Sequence, residues 1–386
     1  MAEAYIVESL RTAGGRRKGA LAGVHPADLG ATILDALVAR TGIDPAAVED
    51  VIVGCVSQAG EQAFAVGRNV VLASTLPDSV PAVTIDRQCG SSQQAIHFAA
   101  QAVMSGTQDI VIAAGVESMT RVPMGSNYRL HAEAGLGEGP WSRSILNRYD
   151  VAEFSQFHGA QAIADKYGLS REAMDAYALR SHQRAADAAR RGAFRAEIVP
   201  VTTDIGDFDE DEGVRFDASL NAMSTVKPLT PGGSVTAANA SQMTDGASGA
   251  LIVSEAALKR FNLTPMARIV NLTVTAGDPV IMLEEPIRAT VRALERAGMK
   301  LSDIDLFEVN EAFASVPMAW LQTLGADPER LNVNGGAIAL GHPLGASGTK
   351  LMSTLIHALK TRGGRYGLQT MCEGGGVANV TIVEVL

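Results

Sequence analysis

Short apolar runs alternating with amphipathic stretches open the chain. AYIVESL reads as a strand, Pro26 to Arg40 as an amphipathic helix, and GIDPAAVEDVIVGCV as a turn leading into a second strand. Strand, helix, strand is the grammar of an α/β protein. The same order returns near the other end: Pro286 to Ala297 has the helical spacing, and GMKLSDIDLFEVNEA again runs from a Gly turn through Asp into an apolar strand.

The parallel extends further. CGSSQQAIHFAAQAVMSG follows the strand AVTID, opens a helix and precedes the strand DIVIAAGVES; LGASGTKLMSTLIHALKTRGG opens a helix and precedes RYGLQTMCEG. One internal duplication explains both pairings. It predicts a site between two related halves, residues 1–119 (completed by about 236–265) and residues 266–386. Between them, 120–235 is rich in Arg, Asp, Glu and Gly, with helical patterns at Phe154–Tyr167 and Arg171–Arg191. This reads as an inserted, mostly surface loop domain, and its acidic stretch DIGDFDEDEG reads as a solvated loop.

Composition narrows the function. The chain has 386 residues and a 47% apolar fraction, enough for more than one packed unit. A net charge of −10 with only 5% aromatic residues argues against nucleic acid, which needs basic surface and stacking platforms. An anionic ester can still bind through a local basic patch and backbone N–H groups. No apolar run approaches a membrane span of roughly 20 residues. MAEAYIVESLRT lacks the order of a signal peptide, so a cytoplasmic protein is expected. Cys55, Cys89 and Cys372 are odd in number and far apart, which disfavours a disulfide framework or zinc site.

Chemistry concentrates in a few places. Cys89 stands where a strand gives way to a helix, and the free N–H groups and dipole there favour thiolate over thiol. A buried inert cysteine is the bland alternative. His342, in GHPLGASG, can serve as the base a thiol needs, and Cys372 sits at a turn of Gly374, Gly375 and Gly376, whose backbone can approach an acyl oxygen. Asn310, where the repeated strand ends, can bond a substrate oxygen or hold a water, with Glu311 to orient either one. A helix N-cap is the equal alternative. His97 lies about 12 Å along the helix from Cys89 and reads as packing. His25, His131, His182 and His357 have no evident partners, and no metal or P-loop signature occurs.

At CGSS, NEAFA, GHPLGASG and CEGGG, in this order and spacing, the chain closely resembles the thiolase family. The resemblance extends to Arg11–Thr12 and to ANAS at Ala238 to Ser241. It implies the thiolase fold, two duplicated α/β halves in a five-layered αβαβα body with an inserted loop domain. It also implies a coenzyme-A-dependent acyltransferase in which Cys89 carries the acyl group, His342 takes the Cys89 proton and Cys372 is the acid/base for the acetyl-CoA enolate. One oxyanion hole would use His342 with a water on Asn310, the other the N–H groups of Cys89 and Gly374. Ser241, Phe313, Arg215 and His158 would meet coenzyme A, with no further cofactor, in a homodimer or homotetramer.

One departure affects the substrate. Acetoacetyl-CoA-specific members carry His-Met before a Gly in the loop domain, and this chain has Phe157-His158-Gly159. A degradative enzyme for longer, branched or ring-derived 3-oxoacyl-CoA is expected, resembling thiolases of bacterial lipid and sterol breakdown. The competing readings are an acetoacetyl-CoA-forming biosynthetic thiolase, a decarboxylating synthase, which would need a histidine in place of Asn310, and a non-catalytic acyl-CoA carrier.

Overall fold

Residues 2–386 are described by a computed structural model. Its main strands are β1 (Ala4–Thr12), β2 (Asp50–Gly54), β3 (Ala82–Ile85), β4 (Ile110–Ser118), β5 (Thr244–Ser254), β6 (Ala267–Ala276), β7 (Leu306–Val309), β8 (Tyr366–Glu373) and β9 (Val377–Val385). Its principal helices are α1 (Pro26–Thr41), α2 (Val66–Ala73), α3 (Ser91–Ser105), α4 (Ser126–Glu133), α5 (Gln156–Lys166), α6 (Arg171–Arg190), α7 (Pro286–Ala297), α8 (Ser315–Leu324) and α9 (Ser347–Arg362). The strands lie in the order β7-β8-β9-β6-β1-β5-β4-β2-β3.

The repeat read from sequence is a repeat of topology. From β1 through β5 and β4 to β2 the pairings are antiparallel, antiparallel and parallel; from β6 through β9 and β8 to β7 they are the same. Even a local irregularity recurs. β1 shifts register against β5 between Ile6 and Glu8, and β6 shifts against β9 between Ile269 and Asn271. An extra residue in one strand bends it and steepens its twist, and here it falls at Val7 of AYIV and Val270 of ARIV. The halves meet where Tyr5 pairs with Arg268 and Ile6 with Ala267, antiparallel.

Layering follows from which faces are apolar. Ala95, Ile96 and Ala99 of α3 and Met352, Leu355 and Ile356 of α9 share one core with Ala113 and Ile252 of the first half and Ile269 and Val383 of the second. The two helices therefore lie between the halves of the sheet. Each fully buried Leu or Ile there contributes roughly 1.5–3 kcal/mol of burial. They cross closely because Gly348 has no side chain: a Cβ there would lie 2.1 Å from the Gln93 nitrogen. Outside, α1 and α2 cover the first half with Leu29, Ile33 and Val70, and α7 and α8 cover the second with Ala289, Val316 and Trp320. The result is the five-layered αβαβα body.

The inserted region is less superficial than its composition suggests. Ala160 and Ile163 of α5 and Met174 and Tyr177 of α6 pack into the same core as Phe313 and Trp320. Its acidic loop departs from the solvated reading too. The Asp211 carboxylate is 3% exposed and takes two hydrogen bonds from the Arg11 guanidinium, at 2.8 and 2.9 Å. Arg11, itself fully buried, has its Nε 2.6 Å from Glu197. A charge leaves water only when it is paired and hydrogen-bonded, and this arginine supplied the partner that DIGDFDEDEG does not reveal.

Candidate active site

Both halves end their strands at one edge, and the motifs gather there. Asp86 accepts from the Gln88 N–H at 2.7 Å, Ser91 Oγ accepts from Arg87 N–H at 2.8 Å, and Ser91 donates back to the Gln88 carbonyl. These bonds hold Gln88 at a φ of 49°, left-handed for a residue with a side chain. Such backbone costs about 1–3 kcal/mol and persists where the surroundings enforce it. It turns the chain sharply into α3 and leaves Cys89 packed with Val56, Met119, Leu344 and Met371.

His342 reaches the same edge from the other half. Its N–H is shared by the Gln242 carbonyl and Thr244 Oγ1, both at 3.1 Å. The Thr244 N–H in turn points at the Met119 sulfur. The downstream turn is pinned by Glu117, whose carboxylate accepts from Gly345 N at 2.8 Å, Val56 N at 2.9 Å, Ser57 N and the Gln62 amide at 3.0 Å. One buried carboxylate thus fixes two walls of the cysteine pocket.

Cys372 closes the group. Asn310 and the Ala312 N–H donate toward its sulfur, and Asn310 Nδ2 lies 3.4 Å from His342 Nε2. Asn310 is not a helix cap, because α8 begins only at Ser315; its Oδ1 is buried without a partner. Glu311 does not orient it. That carboxylate accepts from Tyr177, Ser181, Asn332 and the Ile338 N–H, fastening α6 to the second half. Among the described residues, no carbonyl or side chain accepts the N–H of Cys89 or Gly374. Two free donors beside a thiol suit a developing oxyanion.

Electrostatics correct the expectation of a preformed thiolate. Burial, then Cys372 and Glu373, push the Cys89 thiol well above its usual pKa. Burial and Glu373 push Cys372 up to about 12. Burial, with Lys350 adding to it, lowers His342 to about 3. Desolvation works against the helix N-terminus here. The resting site holds neutral thiols and a neutral imidazole, so proton transfer must accompany attack.

The residues expected at coenzyme A are partly assembled. Ser241 N–H donates to the Ala312 carbonyl at 2.9 Å, and Ala240 bridges to Phe313, which sets the ANAS turn beside the asparagine loop. Phe313 packs edge-on against Phe157, centroids 5.9 Å apart. His158, next along α5, is exposed. Arg215 lines a separate surface pocket of about 290 Å³ with Arg190 and Phe216.

Some histidines read as partnerless are not. His182 Nδ1 accepts the Arg215 N–H at 3.2 Å, His25 accepts from Ala27 N at the start of α1, and His357 Nε2 lies 3.3 Å from the Ser9 carbonyl. His97 is packing, buried with Nε2 2.9 Å from Thr381 Oγ1. Ser347 and Lys350, which contact the histidine or the residues just before it, were missed. A lysine on the apolar face of TKLMSTL was the available signal.

Comparison with known proteins agrees with this geometry. The family described as Thiolase, N-terminal domain matches residues 4–256, and Thiolase, C-terminal domain matches 263–385. The chain is 54% identical to a steroid 3-ketoacyl-CoA thiolase, FadA6, of Mycobacterium tuberculosis, over all of this chain and 95% of that one. It is 41% identical to a 3-ketoacyl-CoA thiolase of Bacillus subtilis and 40% identical to one of Cronobacter sakazakii, each covered completely on both sides. A duplicated αβαβα body, four motifs meeting at one strand edge and full-length relatives of one kind lead to a single assignment: the chain belongs to the thiolase family.

Proposed function

We propose that the protein is an acetyl-CoA C-acyltransferase that uses coenzyme A to cleave a bulky, ring-derived 3-oxoacyl-CoA into acetyl-CoA and a shortened acyl-CoA. The observation that carries this reading is the convergence of two cysteines, a neutral histidine and an unpaired asparagine oxygen at one strand edge. The relative named for steroid 3-ketoacyl-CoA supports the bulky acyl group, as does Phe157-His158 in place of the short-chain His-Met pair.

In this reading Cys89 sulfur attacks the 3-keto carbon as His342 takes its proton, and the N–H groups of Cys89 and Gly374 receive the charge on oxygen. The bond between C2 and C3 then breaks. The leaving electrons form the enolate of acetyl-CoA, held by His342 and a water on Asn310, and the Cys372 thiol supplies its proton. Coenzyme A, deprotonated by Cys372, takes the acyl group from Cys89, and the proton held by His342 returns to restore the free thiol. Splitting the reaction at a thioester gives ping-pong kinetics.

Ser241 and Phe313 would line the pantetheine channel, with His158 at its margin and Arg215 near the adenine end. No cofactor beyond coenzyme A is invoked. Among the described residues, no helix is long and apolar enough to cross a membrane, and the setting proposed is cytoplasmic. A homodimer or homotetramer is supported by Phe64, 93% exposed, and by the edge strand β3, which pairs on one side only.

The test is coenzyme A consumption with acetyl-CoA release across 3-oxoacyl-CoA esters from acetoacetyl to ring-derived, with Cys89→Ala as control. Cysteine-dependent turnover that favours the bulky esters is expected. Preference for acetoacetyl-CoA would return the biosynthetic reading, and no turnover with coenzyme A bound would favour a carrier.

A further inference from the structure

Lys350 lies in the first turn of α9 with 4% of its surface exposed, where an ammonium is rare unless paired. Its Nζ donates to the Leu340 carbonyl and, at 2.9 Å, to the Gly341 carbonyl, the two residues immediately before His342. Gly341 sits at a φ of 81°, and a Cβ there would fall 2.2 Å from Thr244 Oγ1. Thr244 Oγ1 also accepts the His342 N–H. The approach to the histidine is therefore fixed on one side by Thr244 and on the other by Lys350.

Behind Lys350 stands the buried Arg11 network. Its charges facing the ammonium are Asp211 on the acidic loop, Glu197 ahead of the first short strand after α6, Arg11 on β1 and Glu308 on β7. Arg11 and Lys350 balance Asp211 and Glu197, while burial and neighbouring Glu311 raise Glu308 well above its ordinary pKa. Burial lowers Lys350 to about 8, so the ammonium is retained at neutral pH.

We propose that Lys350 is a positioning residue that ties this buried ion network to the backbone of His342 and so fixes the imidazole. This rests on His342 acting as proton acceptor and oxyanion donor in the reading above. A hydrocarbon at 350 would strip the Leu340 and Gly341 carbonyls of their donor and remove the nearby cation, so the loop would loosen and the imidazole would gain proton affinity.

The experiment compares Lys350→Met, Lys350→Gln and Lys350→Arg with the native enzyme in two assays: turnover, and the second-order rate of Cys89 alkylation by iodoacetamide as a function of pH. For Lys350→Met, kcat should fall on the order of tenfold or more with KM for coenzyme A within about twofold. The acidic limb of the alkylation profile should move up by about one pH unit. Lys350→Arg should restore most of kcat and the native limb. Lys350→Gln keeps an N–H for the carbonyls without the charge; it should share the shifted limb and carries the test if Lys350→Met does not fold. A native limb in both neutral variants, or an arginine variant no better than methionine, would overturn the proposal. If native protein shows no Cys89-dependent turnover, the thiolase reading fails instead, and the alkylation limb still reports on Lys350.

Discussion

Ser347 Oγ lies 2.5 Å from Nδ1 of His342 and donates its single proton to the Pro343 carbonyl at 2.8 Å. The hydroxyl can then only accept from the ring, so Nδ1 carries the hydrogen and Nε2 presents a lone pair toward Asn310. In the proposed mechanism this gives Cys89 a base that carries no charge at rest. Ser347→Ala removes the acceptor and frees the tautomer. kcat should fall on the order of tenfold to a hundredfold with little change in KM for coenzyme A; steady-state kinetics with coenzyme A varied would show it, and an unchanged kcat would mean that the tautomer is set elsewhere.

The two thiols should separate by assay. With both held neutral by burial, each needs its own proton partner, and they differ in surroundings: Asn310 and the Ala312 N–H donate toward Cys372. Cys89→Ala should abolish activity in both directions. Cys372→Ala should still allow slow acylation of Cys89 by an acyl-CoA, visible as a mass increase of the intact protein. Equal loss of acylation in both variants would contradict the division of roles.

Much of this was legible because duplication leaves two copies of each signal. The strand-to-helix junction at Cys89 matches the one at GASG, and the strands that end at Asn310 and Cys372 match VIVGCV and IVIAAGVES of the first half. Side-chain partners across the inserted region were not. Asp211 looks like one acid among many in DIGDFDEDEG, and its burial depends on an arginine 200 residues earlier. The desolvation of Cys89 is hidden for a related reason: helix position is local and readable, whereas the apolar cover comes from Val56, Leu344 and Met371 on three other segments.

Buried histidines should make stability depend on acid. His97 is lowered to about 3 by burial, with nearby Arg87 adding to the effect, so between pH 6.5 and 3 the unfolded chain binds a proton there that the folded chain refuses. Stability is lost as pH falls through that window. At pH 5 this one group costs about 2 kcal/mol. His97→Asn is expected to be less stable overall, yet its loss between pH 7 and pH 5 should be smaller than that of the native protein by about that amount. Urea unfolding of both proteins at the two pH values isolates the histidine, because other titrating groups are common to them. Identical losses would mean that His97 takes up its proton in the folded state.

Gly90 and Glu373 offer a test of how Cys89 is held. The φ of Gly90 is −90°, open to any residue, so its identity is not a matter of backbone freedom. A Cβ there would lie 1.8 Å from Glu373 Oε1. Glu373 cannot swing away easily: it is fully buried between the strand end and the cysteine loop, and burial pushes its carboxyl well above the usual range. Gly90→Ala must displace either that carboxyl or Cys89, at a cost of about 1–3 kcal/mol, and turnover should fall at least tenfold. Glu373→Ala alone opens space without touching the loop. If the collision is the whole cause, the double variant should recover toward Glu373→Ala in both Tm and kcat, a coupling of about 0.5–3 kcal/mol. Simple addition of the two losses would show instead that Gly90 serves the cysteine through its own backbone and not through the room it leaves for Glu373.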